Sequence, residues 1–233
     1  MVESMVNRMR HGYSDAEKAA IYRVIYERRD VRTGYLPRPL EDAILYRLLA
    51  AAHRAPSVGF MQPWRFIIVR DVSLRTAVHS IFLRANAEAA AAYVGERRAS
   101  YGRLRLEGLL DAPQHLCVVC DPTSDRGHGL GRGSMPATAA YSVACAIQNL
   151  WLAARAEEIG VGWVSILDPA AIKELLRIPS EMELVAYLCI GYVEGFSTAP
   201  DLERAGWEER AEIASLVRDN YFDQASQFDE ARR

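Results

Sequence analysis

"HLCVVCDPTSDRGHGLGRGSMPATAAYSVACAIQNLWLAARAEEIGVGWVSIL", from His115 to Leu167, carries a strand, a glycine-rich loop, a long helix and a second strand in succession. "HLCVVCD" is a short apolar run rich in β-branched residues, the pattern of a buried strand. "RGHGLGRGS" is a glycine-rich loop, and it leads into a long helical pattern with Pro136 at its start and Gly160 after its end, the usual asymmetry of helix termini. "VGWVSIL" then reads as another strand. Upstream, "WRFIIVRD" has the same buried-strand character; downstream, "DPAAIKELL" reads as a short helix and "ELVAYLCIGYVE" as a fourth strand. Strands interleaved with helices make a layered α/β or α+β fold.

Two further helices precede this block. In "YSDAEKAAIYRVIYERRD", Ser14 stands three residues before Glu17, a capping-box pattern, and Ile21, Val24, Ile25 and Arg28 share one helical face. Ile44, Leu45, Leu48, Leu49 and Ala52 give a second amphipathic helix, stopped by Pro56 and Gly59. An alanine-rich helical stretch from Ser73 to about Val94 leads into an arginine-rich segment, about 93–110, with loose ends suited to a lid. From Phe196 the chain turns to loop residues and a short helical pattern around Ile213, Leu216 and Val217. Such an extension, 196–233, gains little order alone and is expected to pack on a partner subunit. The 233 residues carry no internal repeat or low-complexity linker and are read as a single domain, 1–233.

Composition narrows the function. A net charge of −2 gives no global field for nucleic acid. Runs such as "FIIV" and "LCVVC" fall far short of the ~20 residues that span a bilayer, and "MVESMVNRMRHG" lacks the apolar stretch of a signal peptide. The reading is a cytoplasmic protein without nucleic-acid or membrane partners. Cys117 and Cys120 form a C-x-x-C, but no second pair or histidine cluster completes a zinc set, and the five histidines are scattered; no metal is expected. The glycine loop has no Gly-Lys-Ser/Thr and misses the G-x-G-x-x-G spacing, since Gly129 and Gly131 are followed by Ser134. It reads as an ordinary surface loop, with a nucleotide cradle as the alternative. Ser165 lacks the G-x-S-x-G setting of a hydrolase nucleophile.

Two motifs point to a ligand. "RRDVR" crowds Arg28, Arg29 and Arg32, whose planar forks suit phosphate or carboxylate oxygens, around Asp30, which repels the same anion. In "RAPSVGFMQPWRF", Pro56, Gly59 and Pro63 force a specific path between helix and strand, with Gln62 a versatile donor and acceptor.

On "RRDVR", "PSVGFMQPW", the long segment "DRGHGLGRGSMPATAAYSVACAIQNLWLAARAEEIGVGWVSILDP" and "DLERAGW", the chain resembles the flavin-dependent nitroreductase superfamily. It is most similar to the superfamily's flavin-destructase branch, which forms 5,6-dimethylbenzimidazole, the lower ligand of cobalamin. The likeness runs from about Tyr22 to Val217. It implies an α+β, FMN-binding fold, a central mostly antiparallel sheet flanked by helices, in an intertwined homodimer. It implies that reduced FMN is a substrate as well as a ligand and that O2 is co-substrate, erythrose 4-phosphate being the second product. A separate flavin reductase would supply the reduced flavin. Arg28, Arg29, Val31 and Arg32 would hold the phosphate and ribityl chain. Ser57, Val58, Met61 and Gln62 would be reached from, or reach, the second subunit, and Gly59 would lie near the ring face. Asp30 and Ser165 would be catalytic. Asp30 stands where a serine is usual, and "WVSIL" where Pro-x-Glu-Gly is usual. Both departures disfavour the alternative of a nicotinamide-dependent nitroreductase; a non-catalytic flavin-binding module is the third reading.

Overall fold

A computed structural model of the chain describes residues 12–226. The first helix, α1 (Asp15–Glu27), begins with the expected capping box, Glu17 accepting from the Ser14 backbone and Ser14 from the Glu17 N–H. After α2 (Asp42–His53), a single 3-10 turn, Val58–Phe60, leads into β1 (Trp64–Val69). Next come α3 (Val72–Ala91), α4 (Gly95–Tyr101) and β2 (Gln114–Cys120). The glycine loop carries a 3-10 turn, Arg126–Gly129, before the long α5 (Thr138–Ala156). β3 (Ile159–Val164), α6 (Pro169–Leu175) and β4 (Glu183–Tyr192) follow, then two short helices, α7 (Asp201–Arg204) and α8 (Ile213–Leu216).

The four strands form one sheet in the order β1-β2-β4-β3, every pair antiparallel. Side chains alternate across it. Leu116, Val118, Cys120, Leu188 and Ile190 face α2 and α5; Cys117, Val119, Tyr187 and Cys189 face α3 and α6. The sheet is therefore covered on both sides, which is why β2 and β4 read as nearly continuous apolar runs. The same alternation sends Cys117 and Cys120 to opposite cores, so this C-x-x-C is two separate buried thiols. Burial pushes the Cys117 pKa up to about 12 and that of Cys120 up to about 11. Among the described residues no helix is long and apolar enough to cross a membrane.

Two expectations change in detail. The apolar face of α1 stays largely open, its C-terminal end alone meeting α5: Ile21, Tyr22, Ile25 and Tyr26 are exposed and Val24 is half-buried. The lid segment is anchored at both ends, because Tyr101, Leu109 and Ala112 are buried; its exposed part is α4 and the short bridge to Arg105. Leu109 and Ala112 belong to the core on the α3 side of the sheet, which fixes what the arginine-rich composition had made to look loose.

Candidate active site

The "RRDVR" motif is built into the sheet edge. Val31 N–H donates to Val161 O at 3.0 Å, and Asp30 pairs with Val161 as an isolated parallel bridge. This approach depends on glycines. A Cβ on Gly162 would collide with Val31 O, and one on Gly160 would lie 2.5 Å from Val193 Cγ1. Tyr35, buried at the end of the motif, sets its hydroxyl 2.9 Å from Val31 O and 3.1 Å from Cys189 O, tying the segment to β4.

Docked in this way, Asp30 has both oxygens engaged. Oδ1 accepts Trp163 N–H at 2.9 Å, and Oδ2 accepts Arg32 Nη2 at 2.5 Å. Burial raises the Asp30 pKa above its ordinary value, against the opposing pull of Arg32, the Trp163 N–H and Arg28. Arg28 lies over the Trp151 ring, its guanidinium carbon 4.8 Å from the centroid, and the guanidinium has no hydrogen-bond partner among the described residues. Burial holds its pKa below the usual value, with Asp30 opposing. These groups open on a recess of 230 Å³ lined by Arg28, Arg29, Asp30, Arg32, Asp201 and Arg210 among others. Four arginines against two aspartates leave a formal charge of +2 there, a donor set matched to a phosphate dianion.

Arg29 also ties the motif to distant chain. Its Nη1 donates to Tyr26 O and Arg28 O, and its Nη2 to Thr198 O at 2.6 Å. Both terminal nitrogens thus hold backbone carbonyls, while its buried Nε has no hydrogen-bond partner among the described residues and the residue still lines the recess. Arg210, far along the chain, takes the fourth corner of the recess. No local pattern marks it; its only sequence signal is the charged cluster after Trp207.

The second motif is a braced turn. Val58 N–H donates to Ser142 Oγ of α5 at 3.0 Å, and Gln62 N–H to Ser57 Oγ at 3.1 Å. Gly59 takes φ +54°, and a Cβ there would meet Leu130 O at 2.8 Å. The glycine-rich loop is thus pressed onto this turn. Arg126 donates from Nη2 to Gln62 Oε1 at 2.8 Å and from Nε to Met61 O at 3.3 Å. Phe60 and Gln62 hold left-handed φ values of 57° and 53°, a strain that non-glycine residues keep only where the surroundings enforce it. The loop is held against this turn and braces it. Met61 is 1% exposed, its side chain packed in the core between the sheet and α5.

The two motifs lie at opposite ends of α5. Val58 is held at Ser142, whereas Trp151 Nε1 donates to Arg29 O and Arg155 Nη2 to Glu27. The nine residues between Ser142 and Trp151 rise ~14 Å along a helix. Ser165 is exposed just past the end of β3. It lies two residues beyond the Trp163 N–H that holds Asp30, ~7 Å along an extended chain. Asp30 and Ser165 therefore approach one another, while Ser57–Gln62 stays apart from both within one chain.

Residues 25–192 match the Nitroreductase family. The chain is 50% identical over 183 residues to the 5,6-dimethylbenzimidazole synthase of Rhodospirillum rubrum, covering 78% of this chain and 86% of that protein. It is 45% identical over 197 residues to the 5,6-dimethylbenzimidazole synthase of Rhodobacter capsulatus, covering 84% and 95%. Among solved structures it is similar in fold to oxidized iodotyrosine deiodinase bound to FMN and 3-iodo-L-tyrosine, with a TM-score of 0.69 at 24% identity over 87% of this chain and 100% of that one. Matched over most of its length by the family and at half its aligned positions by a relative, the chain belongs to the nitroreductase family, on the branch of the 5,6-dimethylbenzimidazole synthases.

Proposed function

We propose that the chain fragments reduced FMN with O2, giving 5,6-dimethylbenzimidazole and erythrose 4-phosphate, and so supplies the lower ligand of cobalamin. The observation that carries this reading is Asp30, a part-buried carboxyl with a raised pKa, fixed by Trp163 N–H beside an arginine recess of net positive charge. A carboxylate destabilised by burial is a better base near neutral pH than an exposed one. Each of its oxygens accepts one hydrogen bond here and keeps a lone pair for a proton.

The donor set fits FMN. Arg28, Arg32 and Arg210 hold the phosphate end, and Arg28 still has all its donors to offer. Reduced flavin, when bound, supplies the ring that reacts with oxygen and the ribityl carbon that enters the product. Asp30 takes or relays ribityl protons. Ser165 hydrogen-bonds the ring edge or the bound oxygen, and Gly59 lies beside the ring face contributed across the subunit boundary. The separation of the two motifs along α5 supports a homodimer in which one subunit offers "RRDVR" and the other Ser57–Gln62. The exposed apolar residues Tyr22, Tyr26, Tyr46 and Phe60 suit such an interface. The segment around α4 closes over the site and excludes water. A separate cytoplasmic flavin reductase supplies the reduced flavin.

The test is a single turnover. Anaerobically reduced FMN is mixed with the protein and oxygenated; dimethylbenzimidazole is expected from the parent and not from Asp30→Asn. A normal yield from Asp30→Asn removes Asp30 from the chemistry, as a normal yield from Ser165→Ala removes Ser165. Nicotinamide oxidation with intact flavin would instead identify a reductase.

A further inference from the structure

The tail runs between the arginine recess and the lid and is fixed to both. At one end Arg29 Nη2 donates to Thr198 O at 2.6 Å, and Arg155 lies over the Phe196 ring at 4.2 Å. At the other, Trp207 meets Tyr93 and Tyr101 edge-on, with ring centroids 5.4 and 6.0 Å away. Arg97 of α4 grips the same residue twice, stacking on its ring at 4.2 Å and donating to its carbonyl at 3.2 Å. Between these anchors, Pro200, Asp201 and Leu202 form the outer wall of the recess. Ser197, Asp201 and Arg204 hold one another through bonds of 3.0 to 3.3 Å, which makes the intervening turn stiff. Phe196–Trp207, the first part of the 196–233 extension, thus makes contacts of its own within the chain.

We propose that Ser197–Trp207 is a strap clamped at both ends, and that Arg29 and Trp207 are positioning residues for the reaction. Through the strap, the wall around the phosphate end and the helix over the ring take one position together. Filling the recess with a phosphomonoester fixes the wall; the wall fixes Trp207; Trp207 holds α4 down. This rests on the FMN reading above, but its physical content is a coupling between recess and lid that can be read without any turnover.

Arg97, Arg98, Arg103 and Arg105 make the lid a trypsin substrate when it opens. Cleavage there is followed by mass spectrometry in the parent, Trp207→Phe, Trp207→Leu and Arg29→Gln, with and without oxidised FMN, after melting temperatures show each variant folded. FMN is expected to slow lid cleavage in the parent. In Trp207→Leu the lid should be cut roughly tenfold faster and FMN protection lost, while FMN affinity changes less than about threefold, since the Trp207 side chain does not itself line the recess. Trp207→Phe keeps a ring for Arg97 and the tyrosines and should restore both. Arg29→Gln lies outside the lid, yet should also abolish its protection and speed cleavage at Arg204 and Arg210 as the strap loosens. In single turnover, Trp207→Leu should return more of the reduced flavin as intact oxidised FMN and yield less benzimidazole per flavin consumed. The proposal is overturned by a Trp207→Leu lid as resistant and as FMN-protected as the parent's, by Trp207→Phe failing as badly as Trp207→Leu, or by Arg29→Gln leaving lid protection intact. If the parent makes no benzimidazole but FMN still protects its lid through Trp207, the assigned reaction fails and the strap stands.

Discussion

Gly162→Ala is the substitution that most directly asks whether the "RRDVR" motif works because it is laid against the sheet. The added methyl meets Val31 O and comes 3.1 Å from the Tyr35 hydroxyl. The nearest obstacle is the Val31 main chain, so no side-chain rotation relieves it. Overpacking of this kind costs ~1–3 kcal/mol. Pushing the segment off the edge also loses the Val31–Val161 and Asp30–Trp163 hydrogen bonds, at ~1 kcal/mol each. A total of ~3–5 kcal/mol in a domain of this size lowers Tm by roughly 10 °C. Arg28 and Arg32 move with the segment, and one displaced charge-assisted bond to phosphate, worth ~1.5–3 kcal/mol, weakens FMN binding roughly 10- to 150-fold. Differential scanning calorimetry and flavin fluorescence quenching measure the two effects. Gly195→Ala is the control, because a Cβ there meets nothing within 4 Å; it should stay within ~0.5 kcal/mol of the parent. A Gly162→Ala protein melting within about a degree of the parent and binding FMN normally would refute the view that this close approach shapes the site.

Arg28→Gln should weaken FMN roughly tenfold or more through loss of a charged phosphate contact and leave riboflavin nearly unaffected; equal losses for both ligands in a fluorescence titration would remove Arg28 from the phosphate. Asp30 has a raised pKa in the folded state, so the fold binds its proton more tightly than the unfolded chain does. Its contribution to stability is full below the ordinary 3.8 and is lost as pH rises through the raised value. The melting temperature of the parent relative to Asp30→Asn should therefore fall across that window; a difference that grows with pH contradicts the burial argument. Among the four thiols only Cys145 is exposed, and burial drives Cys117, Cys120 and Cys189 away from the thiolate form. Iodoacetamide under native conditions should label Cys145 first, and rapid labelling of Cys117 would contradict the two-sided covering of the sheet.

The sequence foretells the layered elements well because their signals are local. Buried runs mark β2 and β4, Ser14 with Glu17 marks a helix start, and Pro136 and Gly160 bracket α5. Asp30 and Arg28 are legible for the same reason, as an odd acid in a basic cluster. What stays hidden is set by distant partners. Arg29 looks like its neighbour Arg28 until Thr198, 169 positions away, takes its Nη2. Met61 reads as a ligand contact within its motif, and its place in the core shows only in the fold. The glycine loop looks like a phosphate cradle or a free loop because nothing in its own spacing reveals that Gly59 and Gln62 lie beneath it. Arg210 needs the tail's path to reach the recess, and that path depends on an aromatic cluster assembled from three separated residues.

The parallel bridge at Asp30 and Val161 has an evolutionary corollary. Hydrogen bonds between main chains, indifferent to side-chain identity, hold position 30 at the sheet edge. The backbone there forms a socket into which a different residue can be exchanged without re-aiming it. A serine in that socket, usual in flavin reductases of this superfamily, would meet the same Trp163 N–H. A single codon change could then have swapped a hydroxyl for a carboxylate at a fixed point beside the sugar chain. On the proposed reaction, a change of chemistry at this position needs no new scaffold, and replacing that one residue is where a reconstruction begins.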